Sequence, residues 1–110
     1  MPRLVCQVEK GVEKQVPIES LKKDDVISVR GGEKIPVDGI CLSDTGRVHE
    51  TIYNGNLDPT EIAKGHHLRS GSTVASDIPC LMITVLKSYH ESYSAEMDRM
   101  IFDIENKRAH

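Results

Sequence analysis

Side chains that could do chemistry gather in the middle of the chain, where Val48-His49-Glu50-Thr51 is followed by Asn54-Gly55-Asn56 and then by Glu61. Asn54-Gly55 is a strong tight-turn signal, which puts Asn56 on an exposed loop tip, a place where moving contacts are made. A carboxylate at such a tip can orient a water and take its proton. The Asn56 amide can accept one hydrogen bond but is not a useful base. Glu50, at the end of the strand entering the turn, and Glu61 are nearby carboxylates that might substitute. His66-His67 invites a metal reading, but neighbours on a strand point to opposite faces and make a poor pair of ligands. His49 reads as a surface or loop-packing residue rather than a proton shuttle. Met97 and Met100 read as core or docking surface rather than a copper site, so no metal site is expected.

The elements that must hold this loop are mainly strands. Apolar and polar residues alternate with period two over most of the chain, and turn chemistry recurs every eight to twelve residues, the pattern of a sandwich or barrel. Leu4–Val8 and Lys14–Ile18 read as a hairpin with Pro17 on an edge. Ser20–Asp25 reads as a polar connection, and Val26–Arg30 as a strand stopped by Gly31-Gly32. In Gly32-Glu33-Lys34-Ile35-Pro36-Val37-Asp38-Gly39, Pro36 fixes a backbone angle, and Asp38-Gly39 turns or bulges the chain into Ile40-Cys41-Leu42. Arg47–Thr51, Ser72–Ala75 and Leu81–Leu86 supply later strands, and the β part closes near Ser88. From Glu91 the period changes. Ala95, Met97, Met100, Ile101 and Ile104 recur at three and four, an amphipathic helix over about 91–106 with Ser92 or Ser94 as its cap.

Composition narrows the field. The chain has 110 residues and a net charge of -3, enough for one domain with a modest core burying about 60 to 70% of its unfolded surface. No basic face is available for a nucleic-acid backbone. The longest apolar stretch, Ile78 to Leu86, falls far below the roughly 18 residues needed to span a bilayer, so no direct membrane insertion is expected. No apolar leader precedes Arg3, and the polypeptide as given reads as cytosolic. Cys6, Cys41 and Cys80 are odd in number and widely spaced, and read as reduced, buried core thiols.

Taken together, the Gly32–Gly39 block, Val48-His49-Glu50-Thr51 at its fixed distance, and Asn54-Gly55-Asn56 resemble the actuator domain of P-type ATPases, cation pumps that pass through an aspartyl-phosphate. The resemblance runs without a gap from about Val5 to the terminal helix. The family pattern in the second block is Val-Asp-Glu-Ser, two residues, then Thr-Gly-Glu, whose Glu drives phosphoenzyme hydrolysis. Here Glu50 keeps the carboxylate and Thr51 the hydroxyl, His49 departs, only Gly55 of the last triplet is kept, and Asn56 stands where the Glu is usual. Lys64-Gly65-His66 matches Pro-Gly-Asp at its glycine, and Ser70-Gly71-Ser72 looks like the Gly-Gly-Thr turn. Gly-Glu-Lys-Ile-Pro-Val-Asp-Gly is typical of the heavy-metal-transporting subgroup.

The resemblance implies a distorted β-sandwich, jelly-roll-like, with a C-terminal amphipathic helix, all of 1–110 forming one actuator-type domain cut from a larger membrane protein. It makes Asn54, Gly55 and Asn56 the loop tip and Glu50 and Thr51 its support, while Gly32, Pro36, Asp38, Gly39 and Gly71 shape the scaffold. It implies no cofactor in this domain, with Mg and ATP in other domains of the parent. The implied partners are the phosphorylation and nucleotide-binding domains and the transmembrane helices of the same chain, at the cytoplasmic face of a membrane. Two other readings stay open. One is a pseudo-actuator that regulates or senses metal without turnover; a downstream Asp-Lys-Thr-Gly-Thr in the parent would argue against it. The other is an unrelated stand-alone β binding module.

Overall fold

In the computed structural model, residues 3–55 and 57–92 are described, Ile52 by its backbone alone. Asn56 and nearly all of the amphipathic helix expected over about 91–106 lie outside the described residues. The expectation of a mainly β fold is met by two antiparallel sheets. The larger has six strands: β1 (Leu4–Glu9), β2 (Val12–Pro17), β3 (Val26–Arg30), β4 (Gly39–Cys41), β7 (His67–Leu68) and β9 (Cys80–Val85), in the order β2-β1-β3-β9-β4-β7. The smaller has β5 (Thr45–His49) in the middle, between β6 (Thr60–Ala63) and β8 (Thr73–Val74).

The period-two pattern has a direct physical outcome in the larger sheet. Ile27 and Val29 on β3, and Leu81, Ile83 and Val85 on β9, point into the core, while Ser28, Arg30, Cys80, Met82 and Thr84 between them do not. The paired registers Ile27↔Ile83 and Val29↔Leu81 stack these apolar side chains in cross-strand rows, each fully buried one contributing roughly 1.5–3 kcal/mol. Val48, Val74 and Ile62 close the core from the smaller sheet. β2 is an edge strand, largely exposed, and Pro17 is its last residue.

Gly39 shows how tightly the sheet is packed. A methyl group there would run into the Ile83 side chain and sit 2.6 Å from the Thr84 carbonyl oxygen, which only the absence of a side chain allows. The connection Ser20–Asp25 is not wholly polar: Leu21 is 1% exposed and plugs the core after the 3-10 turn Ile18–Ser20.

The cysteines correct an expectation. Cys41 is buried, but Cys6 is only half-buried and Cys80 is exposed. The cause is register. Cys6 pairs with Ser28 and Cys80 with Arg30, so both belong to the outward rows of the sheet, and an apolar sequence neighbourhood does not decide which face a strand residue takes.

Candidate functional site

The loop between β5 and β6 is built differently from a hairpin turn. The strand expected to run to Thr51 ends at His49, and Glu50 leaves the extended region at φ -108°, ψ 34°. Thr51–Asn54 then forms a single helical turn, α1, in which the Tyr53 and Asn54 N–H groups both donate to the Glu50 carbonyl. Gly55, at φ 70°, ends it by donating its N–H to the Thr51 carbonyl at 2.8 Å. The left-handed glycine that signals a tight hairpin serves equally as a helix terminator, so the Asn-Gly pair was a correct stop signal attached to the wrong element. Asn54 and Gly55 are exposed, and Glu50 and Thr51 half-buried. Asn56 follows, outside the described residues.

Two side chains secure this loop. At its base, the His49 ring Nδ1 lies 3.1 Å from the Leu57 carbonyl oxygen, a contact that requires the proton on Nδ1. From α1, the Tyr53 hydroxyl donates to the Ser70 carbonyl, and the Arg69 guanidinium carbon stands 4.9 Å from the centre of the Tyr53 ring, within cation–π range. Leu57 itself is 80% exposed. Glu61 lies on β6, opposite Arg47 on β5, and Arg47 pairs with Asp77.

The Gly32–Gly39 segment runs alongside residues 68–74 and joins the two sheets. Gly32 donates to the Val74 carbonyl and Ile35 to the Ser72 carbonyl, both at 2.8 Å, while Gly71 donates back to Ile35 at 2.8 Å. Gly32 and Gly71 sit on turns at φ 88° and 90°. Ile35 and Val37 flank half-buried Pro36 and are themselves fully buried. Asp38 is 7% exposed, and its Oδ1 accepts the Ser70 N–H at 2.8 Å. A buried carboxylate needs such a partner to offset desolvation. His67 is exposed on β7 and His66 half-buried just before it. Among the described residues no three His, Cys, Asp or Glu side chains converge on a possible metal position, and no helix is long and apolar enough to cross a membrane.

With this geometry, the family model of the P-type ATPase actuator domain matches residues 1–101. The chain belongs to that family. Its relatives include the zinc-transporting ATPase of Synechocystis, 31% identical over 99 residues covering 90% of this chain and 14% of the relative. The zinc/cadmium/lead-transporting P-type ATPase of Escherichia coli is 30% identical over 108 residues, 98% of this chain and 14% of that protein. A solved zinc-transporting PIB-type ATPase in its E2.Pi state superposes with a TM-score of 0.84 at 28% identity, covering 96% of this chain and 17% of that one. The chain thus spans about 14% of the length of the curated relatives it matches.

Gly32, Pro36, Asp38 and Gly39 thus lie on the sheet-joining segment, Gly71 on the turn bonded to it, and Glu50, Thr51, Asn54 and Gly55 at one short turn. Tyr53 and Arg69 were not among the residues singled out from sequence. No local signal marks them, because the two meet only when β7 and the turn at Ser70 are folded against α1.

Proposed function

We propose that this actuator domain serves a heavy-metal-transporting P-type ATPase, coupling formation and hydrolysis of an aspartyl-phosphate to cation movement, with slow dephosphorylation. The reading rests on Asn56, which follows the Gly55 helix terminator and, by the resemblance, stands where the family's Thr-Gly-Glu loop has its Glu. The metal class is supported by relatives described as zinc, cadmium, lead and copper transporters.

Hydrolysis of an aspartyl-phosphate needs a water held in line with the leaving carboxylate, and the work is mostly positioning and electrostatics. A Glu carboxylate does both; an amide one methylene shorter does only part of the first. General-base assistance worth about 10²- to 10⁴-fold corresponds to a barrier roughly 3 to 5 kcal/mol higher when it is lost. Glu50, as the residue before α1, braces the loop through its carbonyl, and Thr51 receives the Gly55 N–H. The domain works at the cytoplasmic face, against the phosphorylation and nucleotide-binding domains that would hold Mg and ATP, with the transmembrane helices of the same parent chain.

The test is a pulse of γ-labelled ATP and a cold chase on the full-length parent and its Asn56→Glu variant. A long-lived phosphoenzyme whose decay is accelerated at least about tenfold by the variant supports the reading; no acceleration removes Asn56 as the deficit. A second reading, a non-catalytic regulatory pseudo-actuator, is favoured by the joint departure of Asn54, Asn56 and Leu57 from the family pattern. Absence of any phosphoenzyme in either protein would select it.

A further inference from the structure

An unbroken run of hydrogen bonds, largely buried, leads from α1 to Ser92, the last of the described residues. The Tyr53 hydroxyl donates to the Ser70 carbonyl. Ser70, 0% exposed, donates its own N–H to Asp38 Oδ1 at 2.8 Å. The Asp38 N–H donates to Ser92 Oγ at 3.1 Å, and the Ser92 hydroxyl donates to the Ser88 carbonyl at 2.9 Å. Asp38 also receives the Leu86 N–H on its carbonyl at 2.9 Å, which fixes it to the end of β9. Ser92 is fully buried, so its hydroxyl is engaged inside the body.

Apolar packing alone would give these positions compactness but little register, since a methyl group can slide where a directed hydrogen bond cannot. Burying a carboxylate, a serine hydroxyl and the Ser70 peptide groups in one run is costly unless each is satisfied, and once satisfied it stiffens the path in a low-dielectric interior. The residues are remote in sequence, so the run exists only in the folded body.

We propose that Tyr53, the Ser70 backbone, Asp38 and Ser92 form a positioning relay that fixes the orientation of α1, and with it the loop residues Asn54 and Gly55, relative to Ser92 and the end of β9. The inference rests on the actuator reading, in which the chain beyond Ser92 leads to the parent's membrane helices. Displacement at Ser92 is then delivered to the loop without slack. None of the four is a catalytic residue; each acts through the position of the loop.

The experiment uses the full-length parent and the variants Tyr53→Phe, Ser92→Ala, Asp38→Ala, Asp38→Asn and the double variant Tyr53→Phe/Ser92→Ala, followed by labelled-ATP pulse and chase. The relay requires that phosphoenzyme formation and its dependence on ATP concentration stay as in the unmutated protein, while decay slows about three- to tenfold in Tyr53→Phe and in Ser92→Ala, the effect of one buried hydrogen bond. Asp38→Asn, whose amide oxygen can still accept the Ser70 N–H, restores decay relative to Asp38→Ala. The double variant must be no slower than the slower single one, because the run is already broken. In the same proteins, exchange of the Gly55 amide must quicken in Ser92→Ala as it does in Tyr53→Phe. Unchanged decay, multiplicative effects in the double variant, or formation and decay falling in parallel would overturn the relay. No phosphoenzyme in the unmutated parent would overturn the actuator reading on which it rests.

Discussion

His49 stands where the family pattern has Asp, and exchanging it for that Asp tests what holds the base of the loop. β5 and β6 are already paired at Val48↔Thr60, so the backbone alone closes a loop of residues 49–59. The contact from His49 Nδ1 to the Leu57 carbonyl at 3.1 Å draws that closure inward to residues 50–56. An Asp carboxylate cannot donate, and it would place an oxygen against the Leu57 carbonyl oxygen and a second negative charge beside Glu50. Because His49 is half-buried, the loss is that of an ordinary neutral hydrogen bond, about 0.5–1.5 kcal/mol. That corresponds to loop opening roughly two- to twelvefold more frequent. The assay is amide hydrogen exchange at Asn54 and Gly55, whose N–H groups are bonded to the Glu50 and Thr51 carbonyls, compared with Ile83 on β9 as an internal reference. His49→Asp should speed the two loop amides by that factor and leave the reference unchanged. Equal exchange in both proteins would refute the latch.

Gly39→Ala should destabilise the chain by about 1–3 kcal/mol in urea unfolding, since the added methyl meets Ile83 and the Thr84 carbonyl, and a backbone oxygen cannot move aside as a side chain can. Ser72 Oγ is buried without a hydrogen-bond partner among the described residues, so Ser72→Ala should be neutral or stabilising by up to about 1 kcal/mol on the same measurement. Burial pushes the Cys41 thiol above its ordinary value of 9.0. The folded state therefore keeps a proton that the unfolded chain releases, and the stability so contributed is fully present below about pH 9 and lost as pH rises further. Cys41→Val should lose less stability than the parent between pH 8 and pH 10, and iodoacetamide should modify exposed Cys80 well before Cys41.

The strands of the core were legible because alternation is a direct image of the pleat: Ile27 and Val29, or Leu81, Ile83 and Val85, announce their faces without further context. Pro17 announced an edge by its missing donor. The turn of helix at Thr51–Asn54 was hidden for the opposite reason, since Thr51, Ile52 and Tyr53 are β-branched or aromatic, types that favour strands, and the strand was expected to run on to Thr51. What decides there is the pair of N–H groups converging on the Glu50 carbonyl, an arrangement that propensity does not encode. The cysteines failed on face rather than on polarity. The bonds from Tyr53 to Ser70 and from Asp38 to Ser92 span 17 and 54 residues, and no local pattern links residues so far apart. Asn54-Gly55 announced a turn by its own chemistry, whereas the functional reading of Asn56 rests on its spacing from the Gly32–Gly39 block, a likeness to other sequences.

The exposed strand at the sheet margin has a consequence for life among neighbours. β2 presents Glu13, Lys14 and Gln15 to water and ends in Pro17, so a strand from another molecule seeking to extend the sheet would have to desolvate two opposite charges and would meet a residue with no N–H to offer. A margin so built resists zippering onto a neighbouring strand, and it stays wet while the core stays dry.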